Sequence, residues 1–453
     1  MSSSMDTMLR PGATLHCNNL SEPLQVIRLL GSGGQGEVYE VQFAGERHAA
    51  KWYFPGFLKQ DLALRDRLRA SISATSPSAA FLWPMVLLQP AEASVAELGL
   101  PAGSFGYLMP LRPPDFVGAI EHEAARLTIS LRDVVRACFF LAEAFDRLHS
   151  KGLCYKDVST GNLVLRPQDG RIRICDNDNV AVTGAGSGVS LRTAGFTAPE
   201  VLQGQARPSS GSDLFSLAVL LFRLLTRSDP FKGRLELGIR CMDAPAQRQL
   251  YAVDPVFVFD PDDQRNRPDP EVHRAVSVTW PIYPLELQRR FQQTFGPGLR
   301  EPGSRVLTGQ WCETLAAVLD QRLLCPHCDQ EVFGAGDGSD RCWACGGAIG
   351  AVPHLGLRRG LVIAQADNEL HPHHFDPLAL ENLDVPVARV EAHPRDPRIL
   401  GLLNLSEQTW NADLPDGGSV AVEPGRRCNL GSVVQIHTHL GNIQVNPSTA
   451  ITC

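Results

Sequence analysis

Residues 154–178 read CYKDVSTGNLVLRPQDGRIRICDND. Asp157 precedes Asn162 by five positions, and two short apolar runs follow, 163–165 and 172–174, separated by the turn signal Gln168-Asp169-Gly170. The pattern predicts a loop feeding a hairpin, which returns a second acid, Asp176, beside the first. Two carboxylates and an amide held together supply hard oxygen ligands for a cation, with one acid left to take a proton. A plain Asx-rich turn between strands accounts for one such residue but poorly for three at these spacings.

Upstream, an apolar stretch over 24–30 runs into GSGGQGEV, residues 31–38. Gly31, Gly33, Gly36 and Val38 fit a G-x-G-x-x-G-x-V hairpin, with Gly34 between them, in which missing side chains let backbone N–H groups approach phosphates. The motif alone is weak. Here it continues into a strand over 38–43, a turn at Ala44-Gly45 and a strand over 47–53, whereas a dinucleotide-binding turn would open a helix. The third strand carries Lys51 in Ala49-Ala50-Lys51. A lone strand lysine is usually a solvated edge residue; this one, following a glycine-rich hairpin, is placed to reach nucleotide phosphates. No Glu occurs between Lys51 and Ala91, so Asp61 or Asp66, on a helical stretch over 58–73, are the acids available to pair with it. Two buried strands are expected over 81–88 and 104–111.

Further along, residues 130–150 carry apolar positions at helical spacing. TAGFTAPE (193–200) contains Ala198-Pro199-Glu200, with Thr193 and Thr197 as conceivable phosphorylation sites. SDLFSLAVLLFRLLT (212–226) is apolar on every face and opens near Asp213. GLREPGSRVLTGQW (298–311) carries Arg305. Between these last two lies a Pro- and Asp-rich region, 255–287, expected to elaborate the helical lobe.

In this order the landmarks resemble the protein kinase superfamily over about two thirds of the chain. YKDVSTGN stands for H-R-D-x-x-x-x-N and DND for D-F-G. The resemblance implies that Asp157 is the catalytic base, that Lys51 contacts the α- and β-phosphates of ATP, and that Asn162 and Asp176 hold Mg²⁺ or Mn²⁺. Asp178 would join that metal site or cap the turn. The resemblance also implies that backbone groups near Met109 and Leu111 hold an adenine and that Arg305 is a buried partner for Glu200. Tyr155 and Lys156 replace His-Arg, Ser159 replaces a phosphate-contacting lysine, and Asn177-Asp178 replace Phe-Gly. The departures favour an alternative in which the domain is a pseudokinase, a nucleotide-binding scaffold.

The chain has 12 cysteines among 453 residues. Cys325, Cys328, Cys342 and Cys345 form two CxxC knuckles separated by thirteen residues, a spacing that predicts a closed structural Zn²⁺ site, with a redox dithiol as the rival for either knuckle. His327, inside the first knuckle, reads as a bystander. From residue 353 the pattern turns to short alternating runs, the mark of an all-β domain. His371, His373 and His374 there read as a solvated loop or, less simply, metal ligands. The net charge of −7 argues against broad nucleic-acid binding. No apolar run approaches a membrane span and the start lacks a signal-peptide core, so a cytoplasmic address without membrane attachment is expected.

The expected architecture is α+β: a leader (1–20), a bilobal kinase-like fold (N-lobe 21–111, C-lobe 112–321), a Cys₄ zinc ribbon (322–350) and a β-sandwich or barrel (353–453). The expected activity is ATP- and Mg-dependent Ser/Thr protein phosphorylation. The signatures YxD, DND, WPxxL and CxxC…CWxC resemble those of a bacterial kinase-like family. That likeness implies, as partners, a metal-dependent Ser/Thr phosphatase and a von Willebrand factor A-type domain protein.

Overall fold

A computed structural model describes residues 7–184 and 194–446. Thr193 lies outside the described residues. The N-terminal part is an antiparallel six-stranded sheet, ordered Thr14–Leu15, Leu24–Ser32, Gly36–Phe43, Glu46–Tyr53, Gly106–Pro110, Val86–Leu88. Two clusters, one with Tyr39 and Trp52 and the other with Tyr53, Leu68 and Tyr107, cover its opposite faces, as period-2 alternation requires.

Two expectations change here. The predicted strand over 81–88 keeps only its end, because Pro84 lacks the N–H that a central strand needs. Phe81 instead bridges Ile174, and Leu82 N donates to the Ile174 carbonyl at 2.9 Å, so this segment ties the sheet to the hairpin of the second lobe. The helical stretch over 58–73 divides into Pro55–Gln60 and Leu64–Ala74.

The second lobe is helical. Leu131–Ser150 begins at Ser130, whose hydroxyl accepts from Asp133 N, and Ser210–Thr226 begins with a Ser209/Ser212 capping box. The latter is buried along most of its length, its Phe215 and Phe222 packing on Phe231, Phe291 and Phe295. The Pro- and Asp-rich region packs onto this core: Phe257 and Val258 are buried, and Phe259 stacks on Trp280 at 4.5 Å.

Arg322–Leu324 and Glu331–Phe333 pair as a hairpin leading into the cysteine knuckles. The described remainder, to residue 446, is β-rich, as expected, with one short 3-10 turn at Pro372–His374. A six-stranded sheet and a four-stranded sheet, both antiparallel, enclose one core that draws Leu355, Ile436 and Ile443 from the first and Leu370, Val390 and Leu402 from the second. The fold class is therefore α+β, a two-lobed kinase-like unit followed by a cysteine cluster and β-sheets. The three histidines are not a solvated loop. His371, His373 and His374 are buried against the helical lobe, with His374 Nε2 3.1 Å from Asp320 Oδ1.

Candidate active site

The stretch 154–178 folds by local rules. Leu163–Leu165 pairs with Ile172–Ile174, closed by Gly170 at φ 71°. A Cβ at Gly170 would collide with the Asp133 carbonyl, so only glycine lets the turn lie on the long helix. Cys175 N donates to the Asn162 carbonyl at 2.8 Å, which sets the end of the hairpin beside the loop. Asp176 then adopts the left-handed conformation, φ 59° and ψ 43°, tolerated by Asp more readily than by most residues.

Tyr155, the residue in place of histidine, fixes this arrangement. Its hydroxyl donates to the Cys175 carbonyl and lies 3.3 Å from the Asp176 carbonyl. Its backbone N donates to Asp213 Oδ2 at 2.6 Å, so the buried acid of the apolar helix holds the loop. Asn162 Nδ2 donates to the Asp157 carbonyl at 2.9 Å. Burial first, then the charge of Asp176, pushes the Asp157 carboxyl above its ordinary value. Burial and Asp178 do the same to Asp176.

Lys51 is 4% exposed. Its Nζ donates to Asp176 Oδ1 at 2.5 Å, Gln35 Oε1 at 2.7 Å and Asp178 Oδ2 at 2.9 Å. Burial alone would lower this ammonium, but Asp178 and Asp176 outweigh it and hold it above the ordinary lysine value. The lysine is thus no solvated edge residue. Neither helix acid pairs with it: Asp61 takes a bidentate bond from Arg67 at 2.7 and 2.5 Å, and Asp66 pairs with Arg69 at 3.2 Å. Asp178 does not stand open as a turn cap; it is 3% exposed and also accepts from the Tyr53 hydroxyl. Tyr53 was not anticipated, although its place two residues after Lys51 on one strand put both side chains on the same face.

The glycine-rich hairpin lies over this group. Gly36 pairs with Tyr53, and a Cβ there would strike the Trp52 carbonyl. At Gly31, Gly33 or Gly34 a Cβ would meet nothing within 4 Å, which leaves the backbone of the hairpin approachable. Val38 is half-buried under it, Met109 is buried opposite Ala49, and Leu111 follows half-exposed. Asp157, Asn162, Asp176, Lys51 and the hairpin are therefore brought to one cleft.

Beside the loop, Thr160 donates to Glu123 at 2.8 Å, and Arg223 donates to the same carboxylate at 2.8 and 3.2 Å while lying 4.6 Å from the Phe196 ring. Sequence reasoning missed this network because its members stand far apart in the chain. The expected Glu200–Arg305 pair forms: Arg305, 2% exposed, donates to both Glu200 oxygens at 2.8 Å and also to the Gly298 and Gly211 carbonyls at 2.9 Å.

The four knuckle cysteines converge so that all four sulfurs lie within 4.8 Å of one another. Cys325–Cys345 and Cys328–Cys342 are each 3.6 Å apart, too far for disulfides. Tetrahedral Zn²⁺ with sulfur at about 2.3 Å places its ligands about 3.8 Å from one another, so the donor set fits such an ion. His327 N and Ala344 N point at Cys325 and Cys342 Sγ at 3.5 and 3.4 Å. The His327 side chain is exposed.

Comparison with known proteins gives a match to the protein kinase domain family over residues 117–271. A putative ribosomal protein S6 kinase alpha-1 of Caenorhabditis elegans is 28% identical over 243 residues, 51% of this chain and 29% of that protein. The DNA damage-responsive serine/threonine-protein kinase RqkA of Deinococcus radiodurans is 29% identical over 223 residues, 46% of this chain and 30% of that protein. The chain thus spans under a third of the length of these curated relatives. Among solved structures, the Mycobacterium tuberculosis PknI kinase domain aligns over 68% of this chain and 97% of its own, with TM-score 0.44 and 22% identity. The chain carries a protein kinase domain.

Proposed function

We propose that this member of the protein kinase superfamily transfers the γ-phosphoryl group of ATP to a serine or threonine hydroxyl of a protein. The observation that carries the reading is the convergence of Lys51, Asp176, Asn162 and Asp157 beneath an open glycine-rich hairpin. Phosphoryl transfer asks the protein for positioning and charge stabilisation, and these are the groups that supply them. In this reading Lys51 and the backbone of 31–36 hold the phosphates, and the strand end near Met109 and Leu111 holds the adenine. Asn162 and Asp176 would hold Mg²⁺ or Mn²⁺, which neutralises phosphate charge when bound. Asp157 orients the acceptor hydroxyl and takes its proton; a carboxyl raised above its ordinary value is better matched to that work. The cysteine cluster would hold one structural Zn²⁺, and four reduced thiolates suit the cytoplasm.

The scaffold alternative draws on Gln35, whose side chain reaches from the hairpin to Lys51, and on Ser159. Radiolabelled ATP decides between the two. Wild type should label itself or a protein acceptor with Mg²⁺ or Mn²⁺, and Asp157→Ala and Asp176→Ala should each lower the rate by about 10²–10⁴-fold. Incorporation that survives both substitutions removes the site assignment, and nucleotide binding without transfer supports the scaffold. The metal-dependent phosphatase and the von Willebrand factor A-type protein are the partners to seek by co-purification.

A further inference from the structure

We infer that Asp178, with the Tyr53 phenol beside it, is the positioning residue for Lys51. The phosphate-binding lysine is then set by the turn after Asp176 and not by a helix of the N-terminal lobe. This deepens the kinase reading and rests on it. Three observations carry the inference. The stretch between Lys51 and Ala91 contains no Glu, and its two acids, Asp61 at the break between the helices and Asp66 on the second helix, are already paired with Arg67 and Arg69. The Lys51–Asp178 contact, 2.9 Å, joins two side chains that are both almost fully buried, and Tyr53 donates to the same Asp178 oxygen. The turn that carries Asp178 is itself anchored: Asn177, wholly buried, donates to the Leu82 carbonyl at 2.8 Å and the Ile174 carbonyl at 2.9 Å.

The consequence is mechanical. Asp176 and Asp178 sit on one short turn, so the metal acid and the lysine's partner move as a unit. Asn177, where kinases carry an apolar residue, ties that unit to both the hairpin and the 80–83 segment of the first lobe. The helix Leu64–Ala74 is relieved of the role of delivering a carboxylate to the lysine. A swing of that helix would not by itself break the pair. Asp178 Oδ1 is buried with no hydrogen-bond partner among the described residues, so a metal-ligand role for Asp178 must be separated from its role toward the lysine.

The test uses the full chain. Pulsed acetylation with acetic anhydride at one fixed pH, read at the Lys51 peptide by mass spectrometry, reports how often the buried amine is released from its contacts. Asp178→Asn should raise Lys51 acetylation several-fold by releasing the amine from its buried partner, and Tyr53→Phe should raise it less. Asp61→Asn and Asp66→Asn should leave it at the wild-type rate. In phosphotransfer assays Asp178→Asn should raise the KM for ATP without changing the Mg²⁺ concentration for half-maximal rate, and Asp178→Glu should recover part of the loss. Thermal unfolding of every variant identifies any that misfold, in which case Tyr53→Phe, which keeps both charges, carries the test. Unchanged Lys51 acetylation in Asp178→Asn overturns the inference. So does a rise in Asp61→Asn or Asp66→Asn, or a higher Mg²⁺ requirement with acetylation unaltered. If wild type transfers no phosphate while the acetylation pattern holds, the kinase reading fails and the lysine assignment is supported.

Discussion

At the scale of single residues, replacements that look like losses in the motif are compensated by groups of different shape. Tyr155 is longer than the histidine it replaces, and its hydroxyl reaches the backbone carbonyls of Cys175 and Asp176 directly. Beneath it, burial raises Asp213 to about 6, against the opposing pull of His149 and the Tyr155 amide. A carboxyl that binds its proton more tightly folded, about 6, than unfolded, about 4, favours the native state while protonated. That contribution is complete below about pH 4 and is lost as pH rises through about 6. We expect Asp213→Asn, which keeps an oxygen for Tyr155 N, to flatten the pH dependence of unfolding free energy across that window. The change should be on the order of 2 kcal/mol, measured by urea denaturation at several pH values. An unaltered slope would mean that Asp213 does not titrate there.

At the scale of elements, the hairpin 163–174 is legible in sequence because its turn and its alternation are local properties. The segment at 81–88 is not, because its pairing with Ile174 depends on a strand more than ninety residues away. Helix ends show the same divide: the helix expected from 130 begins at its Ser130 cap, whereas the one expected from 212 begins earlier, at the Ser209 cap, and the break at 61–63 carries no Pro or Gly. The Glu200–Arg305 pair joins the helix Pro199–Leu202 to the turn before Thr308–Asp320. Arg305 also satisfies two backbone carbonyls, so truncating it strands three acceptors at once. We expect Arg305→Ala to cost about 3–5 kcal/mol in chemical denaturation, the range for breaking a buried pair from one side. A loss below about 1 kcal/mol would place the pair among exposed ones.

At the scale of the molecule, charged contacts join the helical lobe to the knuckle hairpin and the β-sheets. Glu331 accepts from Arg322 at 2.6 Å and from Arg132 N, at the start of the long helix, at 3.0 Å. Arg136 pairs with Glu369 at 2.9 Å, and Asn368 donates to the Arg322 and Ile363 carbonyls. The knuckle Cys325 comes directly after the strand that carries Arg322, so the state of the thiol cluster bears on this junction. We expect about one zinc per chain by elemental analysis and a large loss in Cys325→Ser. Chelation should open the stretch 325–345 to protease while 24–184 stays protected. Full zinc retention in Cys325→Ser would remove the site.

Sequence alone determined whatever short-range chemistry dictates. The glycine hairpin, the loop from Asp157 to Asn162, the apolar helices, the two knuckles and the β-rich character of the last hundred residues belong to that class, since spacing and turn residues decide each of them locally. Tertiary structure decided pairings. It gave Lys51 the carboxylate of Asp178, set 127 positions away, and engaged Asp61 with Arg67. It also buried three histidines that in sequence resemble a polar loop. Charge and hydrogen-bonding groups find their partners through space, and only the folded chain brings those partners within about 3 Å.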